Sequence, residues 1–175
     1  DEKGGQIRRS YSIATAHGDG EHLRLVIKLI PGGVASTYFA GLEPGAEVAM
    51  TGPHGFFTLD ATHPGDVVFA VTGTGVAPLA PMLGELAGRD EPGRRFVYFG
   101  LRAETDLFWQ DELATLCRAA RAELFVYLSQ PQPTWTGRRG RITSPVLSLT
   151  PTLDRPVFYL VGNGAMIRDV KAGLK

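Results

Sequence analysis

Beyond the breaker run Thr62-His63-Pro64-Gly65-Asp66, short apolar runs alternate with helical stretches to the end of the chain. That rhythm leaves few folds open. Val67–Thr72 is continuously apolar and rich in β-branched residues, as expected of a strand buried on both faces. Residues 77–87 read as helix and 95–100 as a second strand. Residues 107–119 read as a second helix, with apolar positions at Leu107, Phe108, Leu113 and Leu116. Residues 124–128 form a third strand, 142–149 a short helix despite Pro145, Val157–Val161 a fourth strand and 165–174 a fourth helix. Strands alternating with helices imply a parallel sheet built by right-handed crossovers.

The residues before this point have a different character. Residues 7–15 and 23–30 read as antiparallel neighbours joined by His17-Gly18-Asp19-Gly20. Residues 34–41 suit one or two helical turns closed by Gly41, and 46–51 a further short strand. Pro31-Gly32-Gly33, Glu43-Pro44-Gly45 and Gly52-Pro53-His54-Gly55 punctuate them. The pattern is that of a small antiparallel sheet or barrel. A barrel-like domain is therefore expected at residues 1–62, and a nucleotide-binding-like α/β domain at 63–175.

The composition narrows the function classes. Eighteen basic residues balance 18 acidic ones, whereas a nucleic-acid binder normally carries a basic excess. With one cysteine, Cys117, the chain forms no internal disulfide and houses neither a Cys₄ iron–sulfur cluster nor a Cys-rich zinc site. The four histidines show no ligand spacing, so no metal site is expected. No stretch has the length of a membrane span, and Asp1-Glu2-Lys3-Gly4-Gly5 does not resemble a signal peptide. A reducing, cytoplasmic setting is expected.

Four short motifs carry possible chemistry, each with a plain structural alternative. Thr72-Gly73-Thr74-Gly75-Val76-Ala77-Pro78 follows a strand and opens a helix. It suits a pyrophosphate, or is a simple strand-to-helix turn. In Arg9-Ser10-Tyr11-Ser12, Arg suits phosphate, Tyr a flat ring and Ser a ring nitrogen; the alternative is an exposed strand. Pro31-Gly32-Gly33-Val34-Ala35-Ser36 is an anion cradle or a turn with a Ser helix cap. Val161-Gly162-Asn163-Gly164-Ala165-Met166 lies where open α/β sheets bind ligands, or is a turn with Met166 as core filling.

Taken in order, these motifs resemble those of the ferredoxin–NADP reductase-like flavin oxidoreductases across nearly the whole chain. Gly100-Leu101-Arg102, followed by Asp106-Leu107-Phe108-Trp109 and Asp111-Glu112-Leu113, is similar to a further family segment. Trp135-Thr136-Gly137-Arg138-Arg139-Gly140-Arg141 resembles the bacterial oxygenase-reductase members. The resemblance implies a partial antiparallel β-barrel flavin-binding domain, then an α/β parallel-sheet nicotinamide dinucleotide-binding domain, both incomplete.

The resemblance also implies residue roles. Arg9 would contact the pyrophosphate of FAD, Tyr11 would pack on the flavin ring and Ser12 would sit near its N5, these last two being the catalytic candidates. Val26, Ile27 and Lys28 would border the flavin's far side, and Gly33, Val34 and Ser36 would cap the pyrophosphate. Thr72, Gly73, Thr74 and Gly75 would cradle NADH or NADPH, Arg102 and Ser129 would lie toward the adenosine, and Gly162, Asn163 and Met166 would line the nicotinamide side. Hydride would pass to the flavin. Single electrons would then go to an iron–sulfur protein, a haem partner or an oxygenase component.

Three departures from the family pattern stand out. Val161 occupies the position of a usual Cys, strands expected before the Arg-x-Tyr-Ser segment are missing, and the chain stops inside the last helix. Gln130 follows Ser129 where NADPH-preferring relatives place Arg, which favours NADH. Arg138, Arg139 and Arg141 are either an alternative source of charge for a 2′-phosphate or solvated loop residues. The competing function is a non-catalytic flavin-binding subunit that keeps the fold without using NAD(P)H. An unrelated Rossmann-type dehydrogenase is disfavoured, because no acidic residue closes the second strand to hold a ribose.

Overall fold

A computed structural model describes residues 7–15, 22–60, 62–90 and 92–175. Its centre is a five-stranded parallel sheet in the order β4-β3-β2-β1-β5. The strands are β1 (Val67–Thr72), β2 (Arg95–Leu101), β3 (Ala122–Leu128), β4 (Arg138–Arg139) and β5 (Val157–Val161). The helices are α1 (Val34–Ala40), α2 (Leu79–Ala87), α3 (Gln110–Ala119), α4 (Thr143–Leu149) and α5 (Gly164–Gly173).

Strand alternation divides the core into two layers. Val67, Phe69 and Val71 face Leu79, Leu83 and Leu86 of α2 and Leu113 and Cys117 of α3. Val68 and Ala70 face Val146 of α4 and Met166 and Val170 of α5. Full burial of each large apolar side chain contributes about 1.5–3 kcal/mol. Cys117 is 2% exposed, and burial pushes its thiol up to about 12, so it behaves as core filling.

The amino ends of the strands are tied by charge. Asp66 is buried just before β1, and its carboxylate accepts from Arg94 N (2.8 Å), Asp154 N (2.9 Å) and Arg94 Nη2 (2.6 Å). One carboxylate thus joins the entries to β1, β2 and β5. Arg95 is also buried; its guanidinium donates to Leu86 O (2.9 Å) and Ala120 O (2.8 Å), at the ends of α2 and α3. A cation satisfies carbonyls there and complements the negative pole of each helix.

Several boundaries differ from expectation. A 3₁₀ turn over Gly73–Val76 precedes α2, so the helix starts at Leu79, with Pro78 at the N-cap. Leu107 and Phe108 lie outside α3, which begins at Gln110, because Trp109 takes a left-handed φ of 59°. The two-residue β4 is an addition, paired with Tyr127 and Leu128.

The expected antiparallel pairing of residues 7–15 with 23–30 is present but short. Among the described residues before β1, pairing is limited to one isolated bridge, Ile13 with Leu25. Residues 46–51 form no strand, and barrel closure is absent among the described residues. The loop at His17-Gly18-Asp19-Gly20 lies outside them. The physical reason is visible in the side chains: Leu23, Leu29, Ile30, Val48 and Met50 are all exposed. Strand pairing without a packed apolar face is marginal in water. The expected helix at residues 34–41 is present as α1, closed by Gly41.

The segment leading to β1 is anchored on the sheet. Asp60 N donates to the Tyr159 hydroxyl (2.7 Å), and Phe57 meets the Tyr159 ring edge-on at 5.9 Å.

Candidate functional site

All the loops singled out in the α/β part lie at the carboxyl ends of the strands. The chain runs from β1 outward to β2 and β3, then returns to β5 on the other side of β1. The order therefore reverses between β1 and β5, where open α/β sheets bind their ligands. The loops after these two strands touch. Asn163 N donates to Thr72 Oγ1 at 2.7 Å. A Cβ on Gly75 would stand 2.7 Å from Val161 O, which accounts for glycine there. Gly162 has φ +118°, and a Cβ on it would meet Thr72 N at 2.9 Å, with Thr72 O and Oγ1 closer still. Gly73, in contrast, has φ +54° and open space where a Cβ would be. The rim of the crevice is thus bare backbone on its open side, which fits a dinucleotide phosphate.

Two residues of the last loop serve the fold. Asn163 Oδ1 accepts from Ala165 N (2.9 Å) and Met166 N (3.3 Å), capping α5. An Asn just ahead of a helical stretch is a recognisable cap signal. Met166 is 8% exposed within the α4–α5 core. Its side chain packs in that core, and its main-chain N–H is taken by the Asn163 cap.

The loops after β2 and β3 also meet. Gln130 N donates to Arg102 O (2.7 Å), Arg102 Nε donates to Gln130 Oε1 (2.8 Å), and Ser129 N donates to Leu101 O (3.0 Å). Gln130 therefore engages the side chain of Arg102. Arg139 Nη2 donates to the carbonyls of Gln132 (3.0 Å), Pro133 (2.9 Å) and Trp135 (2.6 Å). It folds its own loop. Arg138 lies over the Phe125 ring at 4.9 Å, and Arg141 is exposed.

The other sequence candidates sit before β1. Arg9 and Ser12 are exposed, and Tyr11 is half-buried with its ring edge-on to Phe39 at 5.4 Å. Val26 and Ile27 are half-buried and Lys28 is exposed. Gly33 and Val34 begin α1, and Ser36 Oγ accepts from Ile30 N at 2.8 Å, closing the turn behind it. Ile7, Ile30, Tyr38, Phe56 and Phe57 are large apolar side chains left exposed in this part. Among the described residues there is no group of three or more His, Cys, Asp or Glu that could hold a metal, and no helix is long and apolar enough to cross a membrane.

Two family models match the chain: an oxidoreductase FAD-binding domain over residues 2–59 and an oxidoreductase NAD-binding domain over residues 69–172. The chain is 39% identical over 147 residues to a ferredoxin–NADP reductase B of Sorangium cellulosum, covering 83% of this chain and 60% of that protein. It is 33% identical over 171 residues to the reductase component of a Rhodococcus jostii propane 2-monooxygenase, covering 94% of this chain and 46% of that protein. The crystal structure of an Amycolatopsis cytochrome P450 reductase superposes with a TM-score of 0.82 at 28% identity, covering 97% of this chain and 54% of that one. A Neisseria gonorrhoeae ferredoxin NADP⁺ reductase shares the fold, with a TM-score of 0.75 at 22% identity, covering 96% of this chain and 72% of that one. The chain thus spans about half the length of these curated relatives. It belongs to the FAD- and NAD-binding oxidoreductases of the ferredoxin reductase-like family, related to bacterial oxygenase reductase components.

Proposed function

We propose that the protein is an NAD(P)H-dependent flavoprotein reductase that delivers single electrons to an iron–sulfur or haem partner, such as an oxygenase component. The observation that carries this reading is the meeting of the Thr72–Gly75 and Val161–Asn163 loops at the reversal point of the sheet, in a chain whose preceding residues match an FAD-binding domain. Bound FAD would supply the chemistry that accepts hydride and releases electrons singly.

The chain's own residues have simpler tasks. Arg9 would neutralise pyrophosphate charge. Tyr11, held by Phe39, would pack on the flavin ring, and the Ser12 hydroxyl would donate to a ring nitrogen. Val26, Ile27 and Lys28 would border the flavin, with Gly33, Val34 and Ser36 capping its pyrophosphate. Thr72, Gly73, Thr74 and Gly75 would hold the dinucleotide phosphates opposite Gly162 and Asn163, and Ser129 would reach toward the adenosine. No strong acid or base is required, since orientation of the two rings supplies much of the rate. We place the division between flavin and nucleotide domains at residues 62 and 63.

NADH is the proposed reductant. Gln130 already occupies Arg102, and Arg139 is engaged by three carbonyls, so two of the nearby cations are directed away from a 2′-phosphate. A second reading, a flavin-binding subunit that does not use NAD(P)H, draws on Val161 at the position of the family's Cys.

The test is an anaerobic titration of the full-length gene product, followed in the visible spectrum. Flavin bands should bleach, and at lower concentrations of NADH than of NADPH. Tyr11→Ala should weaken flavin retention about tenfold. Flavin bands that persist with both nucleotides would favour the non-catalytic reading. A well-folded product without flavin would sink both.

A further inference from the structure

One cluster at the start of α3 has no part in the proposed cofactor site. Glu112 lies in the first turn of α3, and its two carboxylate oxygens receive separate donors: the indole Nε1 of Trp109 and the guanidinium of Arg24. The guanidinium also lies 6.0 Å from the centre of the Trp109 ring. Trp109 reaches this position through its left-handed backbone, uncommon for a bulky residue, while packing against the α2–α3 core. An exposed ion pair by itself contributes little. Here the indole is already fixed by the core and shares the same carboxylate, so less freedom is lost in ordering the pair.

Arg24 also works through its main chain. Its carbonyl accepts from Ala14 N (2.8 Å), its N–H donates to Thr15 Oγ1 (2.7 Å), and its neighbour Leu25 bridges to Ile13. Ala14 is 1% exposed. A single residue therefore grips the segment continuing from Arg9, Tyr11 and Ser12 by its backbone, and α3 by its side chain.

We propose that Arg24, Trp109 and Glu112 form a clasp that fixes residues 9–12 relative to the nucleotide loops, with Arg24 and Glu112 as positioning residues. The inference rests on the function proposed above, in which the two rings must meet closely. A displacement of about 1 Å at such a contact can cost a hundredfold in rate.

The test pairs a distance with a rate in the FAD-loaded chain. Spin labels are placed on cysteines introduced at Thr37, on α1 beside Phe39, and at Lys171 on α5; Cys117 is buried and stays unlabelled. Arg24→Ala should broaden the distance distribution and slow flavin reduction by NADH about fivefold, with NADH affinity unchanged. Arg24→Lys, which keeps the charge, should recover most of both. Trp109→Phe, which keeps the packing and loses the donor, should fall between. An unchanged distance in Arg24→Ala would overturn the clasp, as would a broadened distance with an unchanged rate. If the distances respond but neither nucleotide reduces the unsubstituted protein, the reductase reading fails and the positioning role with it, while the physical link stands.

Discussion

Replacing Gly162 by Ala is expected to disable the crevice between β1 and β5 and to cost about 3 kcal/mol of stability. Two effects combine there. The backbone sits at φ +118°, which a side chain rarely tolerates, and the added Cβ would run into the main chain of Thr72. Thr72 cannot retreat easily, because it closes β1 and its hydroxyl accepts from Asn163 N. The two loops must therefore part, and affinity for a nicotinamide dinucleotide should fall about a hundredfold. Gly45→Ala is the control. Gly45 also has a positive φ, +90°, but nothing lies within 4 Å of its missing Cβ. It should lose only about 1 kcal/mol and keep its nucleotide affinity. Urea melts with NADH titrations on both variants separate conformational strain from crowding. Equal behaviour of the two would refute the close-contact explanation.

The second large effect is expected at the opposite end of the strands. Burial pushes the Asp66 carboxyl up, but the hydrogen bonds from Arg94 and Asp154 and the Arg94 charge outweigh it and hold the group below the usual carboxylate range. The folded value is then lower than the unfolded one, near 3.9. The stability that this group contributes is present above the unfolded value and is lost as pH falls through the folded one. Asp66→Ala should cost about 2–3 kcal/mol at pH 7, because Arg94 N and Asp154 N lose a buried acceptor. The loss stays moderate because the Arg94 side chain is half exposed and can rehydrate. The difference between variant and parent should shrink as the pH is lowered from about 5 toward 2. Denaturation midpoints across that range decide it; a difference independent of pH would remove the carboxylate from the explanation.

What the sequence revealed depended on how local the cause was. Val67–Thr72 and Val157–Val161 were legible because a strand buried on both faces needs an uninterrupted apolar run. β4 was not, since Arg138 and Arg139 carry no strand signal and their pairing is set by the backbone of Tyr127 and Leu128. The start of α3 is hidden in the sequence because Leu107 and Phe108 continue the apolar pattern, while the turn at Trp109 comes from its contacts. The first part is legible in outline only: residues 7–15 and 23–30 do meet antiparallel at Ile13 and Leu25, but no ladder extends from that bridge among the described residues. Residues 23–30 and 46–51 have strand-like composition, yet composition cannot supply the packed face that would make a ladder. At the site, the glycines of both loops were visible as motifs, whereas the Thr72–Asn163 link joins residues 91 apart and leaves no local trace.

The position of β5 beside β1 also bears on the order in which the chain acquires its structure. Pairing of β1 with β2 and of β2 with β3 spans one helix each, but docking β5 requires closing a loop that brings Asp66 to Asp154, 88 residues away. Chain entropy opposes that closure more than any other in the sheet. The reversal point exists only once β5 has docked. Competence to bind a dinucleotide should therefore arise late in refolding, trailing the gain of helix signal, so that a nascent or partly folded molecule has no crevice to offer one.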